Sequence, residues 1–160
     1  MTTLPFTMQK QVKSNWCWAA VAASAATFYN GSTPWTQCRV ANSNLNRGDC
    51  CGSPAGDPCN VTSVLDRPLT IVNCFDRMVN ASVPESDAVT EIVRNHPLCL
   101  RVRWSDGSGH FLAIVGYGES VGVVFVDDPI YGSAAILYSV LRTRYQGSGT
   151  WTHSYFTTAR

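Results

Sequence analysis

The stretch from Trp16 to Tyr29, WCWAAVAASAATFY, constrains the fold more than any other part of the chain. It holds no charge, no glycine and no proline, and alanine, the strongest helix former, is its commonest residue. A helix is therefore expected from about Asn15 to the glycine at Gly31, with Ser14 or Asn15 as its N-cap. Small residues occur on every side of that helix, so close neighbours must cover it all round. The run is too short to cross a bilayer. The opening MTTLPFTMQKQV lacks the apolar core of a secretory signal, so a soluble domain is expected, with any export using another route.

The rest of the chain divides in character near Pro97. From Gly31 to Pro68 the punctuation is dense, and only a short helix over Thr36–Asn42 is expected there. Further helices are expected over Pro68–Val79 and Ser86–Asn95, the latter capped by Ser86 or Asp87. Beyond Pro97, LCLRVRW alternates apolar and charged residues as a half-buried strand does. HFLAIVGYG and VGVVFVDDP read as a β-hairpin, and AAILYSV and TWTHSYFTT as further strands. Helices first and strands second, without βαβ alternation, indicate an α+β fold. The 160 residues fit one domain, with 1–96 mainly helical and 97–160 mainly β.

Charged residues make up only 14% of the chain, and 12 basic against 11 acidic groups leave a net charge of +1 with no basic stripe. Nucleic-acid and anionic-membrane partners are excluded on that ground. The cysteine count is high and odd, at seven, so a monomer keeps at least one free thiol. Cys38, Cys50, Cys51 and Cys59 fall in a stretch thick with Gly, Pro, Asn and Asp. A zinc site there would have to use the awkward adjacent pair Cys50-Cys51 with no histidine nearby. Disulfides bracing a loop-rich segment fit better, although spacing does not fix their pairing with one another or with Cys74 and Cys99. No metal or other cofactor is expected.

Cys17 stands at the first turn of the expected helix, where unpaired N–H groups and the helix dipole favour a thiolate. A free cysteine is as often a small buried hydrophobe. Its neighbours decide the matter. Gln11 lies six residues upstream and Trp18-Ala19 follow directly, a Q-x5-C-W-A string. His110 opens a strand after the flexible run DGSG, where its ring can face a cleft. Asp127 and Asp128 end the next strand and return a carboxylate towards His110. Consecutive strand residues point to opposite faces, so only one of them can serve. His96, before Pro97 at a helix–strand junction, and His153 rank lower, and His153, in an alternating strand, is expected to be structural or exposed. Trp16, Trp18 and Trp104 could line the cleft, but such tryptophans are more often core, and no binding role is assigned to them.

These segments resemble the active-site segments of papain-like cysteine proteases. The Asp-Pro dipeptide at Asp128-Pro129 is similar to that of two compact bacterial groups within the family. One comprises the leader peptidase domains of bacteriocin-exporting transporters, the other the papain-like effectors of plant-pathogenic bacteria. The resemblance implies a helical lobe with a buried catalytic helix packed on an antiparallel sheet. It also implies a Cys17–His110–Asp128 triad and an oxyanion hole made by the Gln11 amide and the Cys17 backbone N–H. A monomer cleaving peptide or protein substrates through a thioester follows, with a secreted bacterial effector as the leading setting. Asn-Trp precedes Cys17 where plant and lysosomal papains carry Gly-Ser or Gly-Ala, and the Cys17-to-His110 gap is much shorter than theirs. With Asp in the orienting place that papain gives to Asn, these three departures point to the compact bacterial branch and put papain's own substrate preference in doubt. The same triad can run deamidation, transglutamination or cell-wall peptide cleavage, and a non-catalytic module on this scaffold is a further alternative.

Overall fold

A computed structural model describes residues 1–160. The alanine-rich segment forms helix α1 (Cys17–Tyr29), and every residue from Cys17 to Ala26 is buried. Trp16, not Ser14 or Asn15, occupies the cap position, and no side chain caps the first turn. The expected cap residue Asn15 is engaged elsewhere, because its side chain donates to the Asn60 carbonyl at 3.0 Å. Helix α2 (Gln37–Leu45) is capped by Thr36, whose hydroxyl accepts from the Arg39 N–H. Helices α3 (Asp66–Ile71) and α4 (Glu85–Val93) complete this side.

Strands β2 (Phe75–Val79), β3 (Leu98–Arg103), β4 (Gly109–Tyr117), β5 (Val123–Asp128), β6 (Gly132–Leu137) and β7 (Thr150–Thr157) form an antiparallel sheet in the order β2-β7-β3-β4-β5-β6. A short strand β1 (Thr2–Thr3) adds to the end of β4, opposite Gly116 and Tyr117. Gly116 permits that approach, since a Cβ there would lie 2.5 Å from the Thr2 carbonyl oxygen. The α+β class and the papain-like arrangement of a buried helix against an antiparallel sheet are as expected from the sequence.

Two expected elements are corrected. The helix over Pro68–Val79 stops at Ile71 because Asn73 takes a left-handed φ of 61°, and Phe75–Val79 pairs with β7 instead. AAILYSV is strand only as far as Leu137. Tyr138 opens helix α5 (Tyr138–Thr143), where Tyr138 and Leu141 share one face and are both buried. The Tyr138 ring packs edge-on against Trp151 of β7 at 5.5 Å. Helix α4 begins at Glu85, one residue before its expected start, and Asn95 lies beyond its end with a left-handed φ.

Disulfides join Cys38 to Cys51 and Cys50 to Cys59, so the zinc alternative lacks its thiolates. Cys17, Cys74 and Cys99 are free and buried. The braced segment then holds the start of α1. The Trp16 indole N–H donates to the Cys59 carbonyl at 2.7 Å, and that of Trp18 donates to the Val61 carbonyl at 2.9 Å. An N-terminal strap runs from β1 to Gln11. Along it, Leu4 N–H donates to the Val115 carbonyl, Gln9 N–H to the Ser24 hydroxyl on α1, and Gln11 N–H to the Pro129 carbonyl.

Closing the Cys50–Cys59 loop constrains the unfolded chain, so replacing both residues by alanine should lower stability by about 2–3 kcal/mol. Urea unfolding followed by tryptophan fluorescence measures this, and Trp16 should become quenchable at lower denaturant than the rest of the chain.

Candidate active site

The antiparallel register of β4 and β5 determines what meets His110. Ala113 pairs with Asp127, and β5 ends at Asp128 beside the first residues of β4. Asp128 faces His110, whose Nε2 lies 2.9 Å from each of its carboxylate oxygens. Asp127 points to the other side and accepts from the Ser133 hydroxyl at 2.7 Å. Both partners of the contact are buried, with side-chain exposures of 3% for His110 and 0% for Asp128.

A buried carboxylate must be satisfied by donors. Asp128 Oδ1 accepts the N–H groups of Ile130 at 2.7 Å and Tyr131 at 2.9 Å, and Oδ2 accepts the Tyr145 hydroxyl at 2.7 Å. Burial alone would raise the Asp128 carboxyl, but His110 and those backbone N–H groups outweigh it and hold it below its ordinary value. Burial would likewise depress the His110 imidazole. The hydrogen bonds and charges of Asp128 and Cys17 reverse that and hold it up at about 9. With Nε2 occupied by Asp128, Nδ1 is the ring nitrogen left to Cys17. Burial and the Asp128 charge raise the Tyr145 hydroxyl far above its usual range, so it remains a donor. Trp104 stacks on the His110 ring at 5.7 Å and on Tyr145 at 6.2 Å, shielding the pair from water on that side.

Cys17 is the first residue of α1, and the first-turn N–H groups have no side-chain cap, so they are available to an anion beside the sulfur. Gln11 lies in the loop before it. Its Nε2 donates to the carbonyls of Lys13 at 3.0 Å and Ser14 at 2.7 Å, and its buried Oε1 has no partner. That amide is tied to its own loop, so presenting an N–H above Cys17 requires the two carbonyls to share one hydrogen.

A cleft of about 680 Å³ opens from Cys17 across the sheet. Gly109, Arg101, His153 and Tyr155 belong to its floor, and Thr62, Ser63 and Asp66 to the facing wall. Trp18 borders the cleft although its side chain is wholly buried, while Trp16 is a core residue. His96 is far from the site in role, its Nδ1 lying 3.2 Å from Glu91. His153, expected to be structural or exposed, is a cleft residue. Tyr145 carried no signal in the sequence, since it sits after α5 in a turn that the pattern did not resolve.

The Peptidase_C39 like family matches residues 3–158. No curated protein matches the chain. Among solved structures, the chain is similar to the peptidase domain of Streptococcus ComA, a bi-functional ABC transporter involved in a quorum sensing pathway. That match has a TM-score of 0.65 at 13% identity and covers 97% of this chain and 99% of the other. It is also similar to a double glycine motif protease from an AMS/PCAT transporter, solved in complex with the leader peptide. There the TM-score is 0.54 at 15% identity, covering 98% of this chain and 95% of that one. At such identities the structural likeness speaks for the fold, and the family match, which spans nearly the whole chain, speaks for the chemistry. The chain belongs to the Peptidase_C39-like family and is a papain-like cysteine protease.

Proposed function

We propose that this protease cleaves peptide or protein substrates through a thioester, with Cys17 as nucleophile, His110 as general base and acid, and Asp128 as the group that orients His110. The observation that carries the reading is the buried His110 ring, whose Nε2 lies 2.9 Å from Asp128 and whose proton Asp128 and Cys17 both favour. The Cys17 thiolate attacks the scissile carbonyl, and the tetrahedral oxyanion is held by the Cys17 backbone N–H and the Gln11 amide. His110 then gives its proton to the departing amine, and the neutral ring activates the water that releases the acyl group. Tyr145 acts as a positioning residue, because its hydroxyl limits where the Asp128 carboxylate can sit. We read residues 1–160 as one domain working as a monomer. The disulfides support an oxidising destination, consistent with a secreted bacterial effector.

Incubation with a panel of peptides and proteins, followed by mass spectrometry, tests this reading. Peptide cleavage that disappears in Cys17→Ala and His110→Ala is expected. A mass shift without cleavage would mean that the same residues run deamidation or transfer. No Cys17-dependent change in any substrate would remove the reading.

Titration adds a second check. The alkaline limb of kcat/KM should fall near pH 9, where His110 loses its proton. In Asp128→Asn the anion that favours the imidazolium is gone, so the limb should move to lower pH and kcat fall by about 10²–10⁴. Because the folded His110 value is raised above 6.5, its stabilising contribution is full below pH 6.5 and is lost as the pH rises through about 9. Thermal melts across that window should show the decline, and Asp128→Asn should flatten it.

Tyr145→Phe removes one hydrogen bond to a buried charge and should cost about 1.5–3 kcal/mol in chemical denaturation. Its kcat should fall while KM holds, and its alkaline limb should shift, which a purely structural loss would not produce.

A further inference from the structure

We propose that Arg101 forms a subsite for a substrate carboxylate in the cleft that begins at Cys17. The inference rests on the peptidase reading and adds a specificity to it. Arg101 pairs with Phe111 on β4 and with His153 on β7, so these three side chains leave one face of the sheet, and all three line the cleft. The guanidinium is held in place. Its Nη1 donates to the Thr152 hydroxyl at 3.0 Å, and its Nε and Nη2 lie only 2.6 Å from where a Cβ on Gly109 would stand. The side chain therefore lies across β4 at the residue immediately before His110, and only glycine leaves it that path.

What the guanidinium lacks is an anion. The ion pairs of the chain all lie elsewhere, and Asp66, the carboxylate of the cleft lining, makes none with Arg101. Its N–H groups on Nε and Nη2 have no protein acceptor. His153 beside it is pushed down by burial and by the Arg101 charge, so it is neutral at pH 7 and brings no second cation to compete for an anion. A fixed guanidinium with a free N–H fork in a cleft matches a carboxylate in bidentate geometry. Since Gly109 adjoins His110, that carboxylate belongs to a residue close to the scissile bond. It can be an aspartate or glutamate side chain, or the C-terminus of a short peptide.

The test is cleavage of synthetic peptides of randomised sequence, prepared with free and with amidated C-termini. Wild type would be compared with Arg101→Gln, Arg101→Lys, Arg101→Glu and the inactive Cys17→Ala. Enrichment of Asp and Glu at one fixed position in the amidated set identifies a side-chain carboxylate. Cleavage confined to the free-acid set, at a fixed distance from the end, identifies the terminus. Arg101→Gln should abolish the preference and raise KM for a preferred peptide roughly 10-fold or more at unchanged kcat. Arg101→Glu should transfer the preference to Lys and Arg. Equal melting temperatures show that the variants fold. If Arg101→Gln does not fold, the wild-type preference decides, because it must weaken as salt rises. Cleavage with no carboxylate preference, or with a preference that Arg101→Gln leaves intact, overturns the subsite alone. No cleavage above the Cys17→Ala background overturns the peptidase reading, and the subsite falls with it.

Discussion

A fully buried carboxylate is the commitment on which the rest of this structure depends. An ionised Asp128 with 0% side-chain exposure is tolerable only if every direction around it supplies a donor or a positive charge. Those groups come from separate parts of the chain. His110 arrives on β4, Ile130 and Tyr131 from the turn after β5, and Tyr145 from the far side of α5. The β4–β5 register, the tight turn at Pro129 and the path of the chain after α5 are therefore linked through one side chain. Removing any one donor leaves the others facing an under-satisfied anion.

The Cys17 side is built on a different principle. α1 is held mainly by packing, because its alanines allow the sheet and the neighbouring helices to approach it closely, with Ser24 and Tyr29 adding hydrogen bonds to the strap and to β7. Its first turn is fixed from outside, by indole N–H groups reaching carbonyls of the disulfide-braced segment at Cys59 and Val61. Packing thus sets where Cys17 lies, and electrostatics sets where His110 lies. The cleft is the seam between the two.

The sequence disclosed these parts unevenly, for physical reasons. A long uncharged alanine run and a change from helical to alternating pattern near Pro97 were enough for the α+β class. Cys17, Gln11 and His110 stand in short local strings, so they were legible as candidates. Strand alternation separated Asp127 from Asp128 without choosing between them, and the choice rested on likeness to known Asp-Pro segments. What local pattern could not carry was long-range context. Asn73 inside an apolar stretch marked a helix end that the periodicity overrode, and Tyr138 belongs to a helix only because its ring has Trp151 to pack on. Tyr145, the disulfide pairing and the placement of Arg101 depend on residues distant in sequence.

The N-terminal strap gives the molecule a mechanical property. It is fastened to the sheet at β1 and again at Pro129, and between those points it is fastened to α1 through Ser24. The strap therefore links the sheet and α1 by a route separate from their direct packing. A residue added between Leu4 and Gln9 would strain both attachments at once, one on the strand that carries His110 and one on the helix that begins at Cys17.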